Sequence, residues 1–382
     1  MGEEEQERPG PGPEPEPEAA FVYTERDLLR SGIRWDGARP ESRLDKALRS
    51  AWERRMRAGC FRYRLWGPEL PVRELPGRCR LLAQLNVRRA TERRKPQEIL
   101  SVRQPFDPQR FNFSRVPRRE LLFRLRRSRS PEAGDAEPAG GDSDLGAEAL
   151  LIINVSPLAY GHVLLLPEPE LLLPQAQTRA AVLRALELVF LSSEPAFRVG
   201  FNSLGAFASV NHLHLHGFYL PHRLQVESVP TEPLGEAGVG ARLHRLCGHY
   251  TRGLVLYSDG RARDRAQAAD ALLAVSDLLL RRSLAHNLLV SRGCPLGRRP
   301  PEPESRDGVR LIVWPRTPCF GAKDESAFNV AVCELAGFLP VKTARHFESL
   351  TEESALRTIG EQQLPAEHFS RLCAEIAALP LP

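Results

Sequence analysis

Three histidines alternate with leucines in the segment His212-Leu213-His214-Leu215-His216. On a β-strand, successive side chains point to opposite faces, so the three imidazoles would project from one face about 6.5 Å apart. A row of buried imidazoles is costly unless each ring finds a hydrogen-bond partner. This segment is therefore the first candidate for a site of chemistry.

Three interpretations of the histidine row are open. One is a half-exposed strand whose outer face happens to be rich in histidine. Another is a zinc site, since histidines two apart on a strand can ligate zinc. Such a site would need ligands from elsewhere, because no Asp or Glu lies nearby in the sequence. In the third, phosphoryl transfer without a metal, a neutral His214 attacks phosphorus while His212 and His216 donate to phosphate oxygens.

The loop that precedes the histidines is made of small and polar residues. In such a loop, backbone N–H groups can approach phosphate oxygens closely. The candidate substrate-binding residues of this stretch are Asn202, Ser203, Gly205, Ser209 and Asn211. The phosphoryl-transfer interpretation predicts that they hold the phosphates of a nucleotide.

Hydrophobic periodicity predicts the elements that must position this segment. Helices are predicted at 43–60, 175–191 and 262–283, with two more in 352–379 broken near Pro365. Strands are predicted at 81–87, 121–125, 149–155, 162–166, 197–200, 212–220, 287–290 and 309–314, and in part of 327–335. Strands cluster without regular βαβ alternation, which favours an α+β fold with an antiparallel sheet and packed helices.

Composition divides the chain into segments. Residues 1–20 are rich in Pro, Glu and Gly and are predicted to be a disordered acidic tail. Residues 128–147 and 297–308 have a similar character and are predicted to be flexible inserts. The recurring strand–helix–strand order predicts two related halves, 21–235 and 236–382.

The bulk properties exclude several classes of protein. The chain has 382 residues, 42% of them hydrophobic, which is enough for a packed core. It lacks an apolar run long enough for a transmembrane helix, and its N-terminus is acidic, unlike a signal peptide. Seven dispersed cysteines without a CxxC pair predict reduced thiols and a cytoplasmic protein. A net charge of only +5 does not indicate a nucleic-acid partner, and no membrane partner is expected.

The pattern His-φ-His-φ-His-φ-φ, where φ is apolar, resembles the histidine-triad superfamily of nucleotide hydrolases and transferases. The upstream block 151–168 resembles the strand pair of that superfamily, with matches at Asn154, Pro157, Gly161, His162 and Pro167. Three longer blocks resemble the GDP-hexose phosphorylases, a family that includes plant GDP-L-galactose phosphorylase; they span 104–116, 202–221 and 327–338.

This resemblance implies a histidine-triad fold and a two-step reaction. His214 would be the nucleophile that carries a GMP–histidine intermediate, and inorganic phosphate would then release GDP, by ping-pong kinetics. GDP-hexose and phosphate are the implied partners, with no cofactor and no metal. Arg110 and Glu334 lie in the family-like blocks and are candidate substrate contacts.

One departure from the family pattern keeps alternatives open. Plant relatives have Gln at the position of His216, whereas a third histidine is commoner in the hydrolytic branch of the superfamily. The acceptor could therefore be water, which would make the chain a hydrolase of nucleotides or nucleotide sugars with the same nucleophile. A protein that binds a GDP-sugar without turnover is a further alternative. The preferred hexose and the oligomeric state are left open by the sequence.

Overall fold

A computed structural model of the protein describes residues 20–37, 39–65, 70–128, 148–299, 304–320 and 326–380. The predicted tail at 1–20 and the predicted insert at 128–147 lie outside the described residues, except for one residue each at their inner ends. Of the predicted insert at 297–308, residues 300–303 lie outside them.

The helices and strands alternate irregularly along the chain. The helices are α1 Arg43–Arg57, α2 Val87–Glu92, α3 Arg179–Leu191, α4 Gly238–Arg242, α5 Ala262–Arg281, α6 Val332–Leu335, α7 Ala344–Ser349, α8 Glu352–Gly360 and α9 Ala366–Ala377. The strands are β1 Phe21–Tyr23, β2 Val72–Glu74, β3 Leu82–Leu85, β4 Leu121–Arg127, β5 Ala149–Ile153, β6 Val163–Leu166, β7 Phe197–Asn202, β8 Leu215–Tyr219, β9 Thr231–Pro233, β10 His244–Leu246, β11 Leu254–Ser258, β12 Ala285–Gly293, β13 Gly308–Arg316 and β14 Phe338–Val341.

One large sheet organises the described part of the chain. Eleven strands follow the order β1-β4-β5-β6-β8-β7-β12-β13-β11-β10-β9, and β14-β3-β2 form a separate small sheet. Neighbours in the large sheet are antiparallel except β1 and β4, and β14 pairs with β3 in parallel. The predicted α+β class is confirmed, but the sheets are mixed and not purely antiparallel as expected.

Both faces of the large sheet are covered. On one face, α3 and α5 pack on each other and on the central strands β7 and β12. The other face carries α6 and a second apolar cluster, which includes residues of the small sheet. Consecutive residues of β12 therefore point into different cores. Leu288 packs in the core with α3 and α5, and Leu289 packs in the second apolar cluster.

Local sequence explains where the main helices begin. The Ser42 side chain accepts from the Asp45 N–H at the start of α1, and the Thr178 side chain accepts from the Ala181 N–H at the start of α3. The predicted helices at 43–60, 175–191 and 262–283 are confirmed with shorter bounds, as are the two helices near the C-terminus.

Two of the predicted strands differ from the structure. The segment 327–335 contains no strand; the short helix α6 forms there, and β14 follows it. A helical turn is favoured because the Glu334 carboxylate accepts the N–H of Ala331, at the start of that turn (2.9 Å). The strand predicted at 212–220 begins only at Leu215.

The order helix–strand–strand occurs twice, as α3-β7-β8 and as α5-β12-β13. The two units meet in the middle of the sheet, where β7 pairs with β12. The strand β9 falls within the predicted first half, yet it pairs with β10. The division near residue 235 stays a prediction. Among the described residues, no helix combines the length and the apolar character that a membrane span requires.

Candidate active site

The histidine segment enters the large sheet only at Leu215. Just upstream, the side-chain amide of Gln175 brackets the backbone of His214: its Oε1 accepts the N–H at 2.9 Å, and its Nε2 donates to the carbonyl at 3.0 Å. These bonds take the place of strand pairing. The three histidines therefore do not share one strand face as expected.

The ring of His214 presents a free nitrogen to a cavity. Its Nδ1 lies 2.7 Å from the carbonyl oxygen of His212. A carbonyl can only accept a hydrogen bond, so Nδ1 carries the proton and Nε2 keeps its lone pair. Burial lowers the pKa of His214 to about 4, so the ring is neutral near pH 7.

The ring of His212 has a different role. Its Nδ1 accepts the backbone N–H of Phe113 at 3.0 Å, and the two rings are stacked with centroids 5.8 Å apart. This ring does not line the cavity, whereas those of His214 and His216 do. His212 contacts the ring of His214 through its backbone carbonyl.

A chain of hydrogen bonds fixes the proton of His216. The N–H of Leu158 donates to Nδ1 of His162 at 2.8 Å, so the proton of a neutral His162 is on Nε2. That Nε2 lies 3.1 Å from Nδ1 of His216 and donates to it. The Nδ2 of Asn154 is also 3.2 Å from the same Nε2, but two N–H groups cannot bond each other. His216 consequently carries its own proton on Nε2, as a donor.

Electrostatics keep this chain uncharged. Burial first, and the positive charge of Arg89 second, hold the pKa of His162 well below its ordinary value. Burial, His214 and Arg89, in that order, do the same for the pKa of His216. Both rings are therefore neutral near pH 7, in agreement with the tautomers assigned above.

Two glycines next to these histidines leave no space for a side chain. Gly161 has φ 67°, and a Cβ there would come 2.5 Å from the ring of Tyr219. Gly200 pairs with His216 across the sheet, and a Cβ on it would come 2.9 Å from Val332, which lines the cavity. A larger residue at position 200 would therefore displace the cavity wall.

The cavity itself has a volume of about 440 Å³. Its floor includes His214 and His216. Its walls carry the basic residues Arg89, Arg93, Arg94 and Lys342 and the acidic residues Glu120 and Glu334. The neutral imidazole of His214 faces a largely cationic wall, an arrangement suited to binding a phosphate ester. Among the described residues, no group of three or more His, Cys, Asp and Glu side chains could hold a metal ion.

Models of the GDPGP1-like N-terminal domain and the GDPGP1-like C-terminal domain match residues 43–218 and 225–380 of the chain. The chain belongs to the GDPGP1-like family. This confirms the resemblance to the GDP-hexose phosphorylases.

Named relatives agree with this assignment. The chain is 47% identical to GDP-D-glucose phosphorylase 1 of Danio rerio over 92% of its length and 96% of the relative's. It is 46% identical to the Homo sapiens protein of the same name, over 94% of this chain and 91% of that protein. GDP-L-galactose phosphorylase 2 of Arabidopsis thaliana is 30% identical over 91% of the chain and 79% of its own length.

The fold of this GDPGP1-like chain is also found in a solved structure. Yeast Ap4A phosphorylase Apa2 in complex with Ap4A superposes with a TM-score of 0.55 at 14% identity, over 85% of this chain and 98% of that one. At this identity, the likeness concerns the fold alone.

Of the predicted substrate-binding residues, Asn202, Ser209 and Glu334 line the cavity of this GDPGP1-like chain. Asn202 is held by its Oδ1, which accepts from the Val332 N–H at 3.1 Å and from Asn287 Nδ2 at 2.7 Å. Burial raises the pKa of Glu334 to about 7.

The other predicted substrate-binding residues lie away from the cavity. The Ser203 hydroxyl accepts the His286 N–H at 2.8 Å, and Gly205 occupies a turn with φ 73°. Asn211 bonds to the carbonyls of residues 104 and 105 and to the Gln175 N–H. Arg110 is exposed and bonds to the carbonyl of Glu98. The first three brace the loops that carry the histidines, and no contact places Arg110 at the cavity.

Two residues of the site carried no signal in the sequence. Gln175 lies 39 positions before His214, in a stretch predicted to be helical. Arg89 is one of the arginines that make up all but four of the 53 basic residues, so composition could not select it. His162 was visible only as part of a resembling block.

Proposed function

We propose that the chain catalyses phosphorolysis of GDP-D-glucose to GDP and glucose 1-phosphate, through a GMP–histidine intermediate on His214. The prediction of a GDP-hexose phosphorylase is confirmed by its family and by the named relatives. The observation that carries the proposed mechanism is the unprotonated Nε2 of His214, which faces a cationic cavity.

The first transfer forms a bond between Nε2 of His214 and the α-phosphorus of the nucleotide sugar. The bond from this phosphorus to the bridging oxygen breaks, and glucose 1-phosphate leaves with that oxygen. His216 donates its Nε2–H to a non-bridging oxygen of the α-phosphate, where negative charge is spread in the transition state. The adduct turns the His214 ring cationic, and the His212 carbonyl that already holds Nδ1–H stabilises this charge.

The second transfer reverses the first with a new acceptor. An oxygen of inorganic phosphate attacks the same phosphorus, the N–P bond breaks, and GDP leaves. Because both transfers use one nucleophile, the kinetics are ping-pong. We propose a fold of the histidine-triad kind for this chemistry. We also propose a cytoplasmic location, as expected for a chain whose seven cysteines are all free thiols.

A product assay tests this function. Purified protein is incubated with GDP-glucose, with and without phosphate, and guanine nucleotides are separated by chromatography. GDP and glucose 1-phosphate formed in equal amounts, only with phosphate, support the proposal. GMP formed at the same rate with and without phosphate would instead show a hydrolase, and the absence of turnover would show a binding protein. GDP-mannose and GDP-galactose in parallel give the hexose preference.

A further inference from the structure

Arg89 reaches the cavity from the short helix α2. Its neighbour Arg88 is exposed and forms an ion pair with Glu92 at 2.7 Å on the outer face of the helix. Arg89 is half-buried and lines the cavity instead. The helix is fixed there because the side chain of Asn86 accepts the backbone N–H of Arg89 at 3.0 Å and donates to the carbonyl of Leu158 at 3.4 Å.

The guanidinium of Arg89 has no carboxylate within ion-pair distance among the described residues. Nη1 of Arg89 donates a hydrogen bond to the backbone carbonyl of Ser156. Arg198, which is fully buried, is paired with Glu227 at 2.7 Å. The fully buried Arg292 and Arg310 instead donate to backbone carbonyls. The side chain of Arg89 also lies close to the Tyr63 hydroxyl. A guanidinium has five N–H donors, so those not directed at Ser156 or Tyr63 are available to an anion in the cavity.

The position of this charge relative to the histidines is informative. Arg89 lines the same cavity as His214 and His216, and its positive charge lowers the pKa of His216 and of His162. A phosphoryl group bound to His214 would therefore share this cavity with the guanidinium.

In-line transfer requires that the leaving group depart from the side opposite the nucleophile, and that the acceptor arrive from the same side. The phosphate of departing glucose 1-phosphate and the incoming inorganic phosphate must consequently occupy one subsite. An arginine fork matches the oxygens of a phosphate dianion in two parallel bonds, whereas a water molecule gains little from it.

We propose that Arg89 is the receptor for the acceptor phosphate, and that it thereby sets the preference for phosphorolysis over hydrolysis. This inference rests on the proposed function. In the sequence, the third histidine, His216, leaves open whether the acceptor is phosphate or water. The inference assigns this choice to Arg89, which lies outside the histidine motif.

The test measures how the GMP adduct is partitioned between phosphate and water. The ratio of GDP to GMP formed from GDP-glucose is followed as the phosphate concentration varies, for wild type, Arg89→Ala, Arg89→Lys and Arg88→Ala. This ratio depends only on the fate of the adduct, so a variant that is simply less stable or slower to form the adduct does not change it.

For Arg89→Ala, the KM for phosphate should rise and the GDP:GMP ratio at fixed phosphate should fall, each by about 10- to 100-fold. Arg89→Lys keeps the charge without the fork and should lie between Arg89→Ala and wild type. Arg88→Ala removes a guanidinium from the same helix and should retain the wild-type ratio. A wild-type ratio and KM in both Arg89 variants would overturn the inference. A wild-type protein that forms no GDP would overturn the proposed function instead, and the two failures are therefore distinguishable.

Discussion

The Nδ1 of His214 lies 2.7 Å from the backbone carbonyl oxygen of His212, its second neighbour in the chain. This bond to a main-chain carbonyl fixes the tautomer of His214. The side chain of His212 is turned away, to the N–H of Phe113. In the proposed mechanism, the ring of His214 reacts, the ring of His216 donates a hydrogen bond, and His212 orients the ring of His214 through its backbone carbonyl.

A comparison of two asparagine variants tests this division of roles. His214→Asn removes the nucleophile and should lower turnover by about 10⁴-fold or more, with no radiolabelled GMP retained after denaturation. His212→Asn keeps the carbonyl and supplies an Oδ1 to accept the Phe113 N–H, so its turnover should remain within about tenfold of wild type. Equal losses in the two variants would contradict the assignment.

The pH dependence of adduct formation follows from the lowered pKa of His214. The nucleophile must be neutral, and with a pKa of about 4 it loses its proton well below the pH at which an ordinary histidine does. The single-turnover rate of glucose 1-phosphate release, measured without phosphate, should stay level from pH 8 down to about pH 5.5 and fall only below that.

Glu334, which also lines the cavity, has its pKa raised to about 7 and could add a second limb to this profile. The same measurement on Glu334→Gln removes that ionisation and serves as the control. If the rate of this variant still falls near pH 6.5, the pKa of His214 is not lowered in the way that its burial predicts.

We expect His162 to act on the reaction through His216, to which its Nε2–H donates. In His162→Leu, Nδ1 of His216 loses its partner, and the ring is no longer held with its Nε2–H toward the cavity. We expect kcat to fall by about 100-fold, the usual cost of losing one donor to a developing oxyanion, with a smaller change in KM. His162→Gln offers an amide N–H to His216 and should recover part of the rate. A merely structural role predicts that kcat follows thermal stability in both variants.

Gln175 holds the nucleophile in place through its backbone. Gln175→Leu leaves the N–H and the carbonyl of His214 buried without their partners, which should cost about 1–3 kcal/mol in the free energy of unfolding. Adduct formation should slow as well, because the ring is then less fixed. Chemical unfolding and the single-turnover rate measure the two effects.

The matched control for this variant is two residues away. Gln177 is also buried, but neither of its side-chain polar atoms has a hydrogen-bond partner in the described part of the chain. Gln177→Leu should therefore leave stability unchanged or raise it. A similar loss of stability in both variants would show that any buried amide in this loop stabilises the fold. The two hydrogen bonds from Gln175 to the His214 backbone would then have no special effect.

Local patterns along the chain predicted much of the fold. The amphipathic spacing of Leu44, Leu48, Trp52 and Met56 gave helix α1 nearly in full, because an apolar stripe with a Ser cap upstream has few other stable forms. The pattern failed at 327–335, where an apolar run is equally compatible with a helix or a strand and a single carboxylate bond to Ala331 decides the outcome.

By itself, the sequence determined the family and singled out His214 as the predicted nucleophile, because the triad and its flanking blocks are contiguous stretches of chain. It also determined the class of fold, through periodicity. Tertiary structure alone decided which ring nitrogens carry protons and which residues surround them. Leu158 acts on His216 through His162, and Arg89 and Gln175 reach the site from other elements. Hydrogen-bond direction and charge depend on distances of a few ångströms between groups far apart in the chain, and residue spacing does not encode such distances.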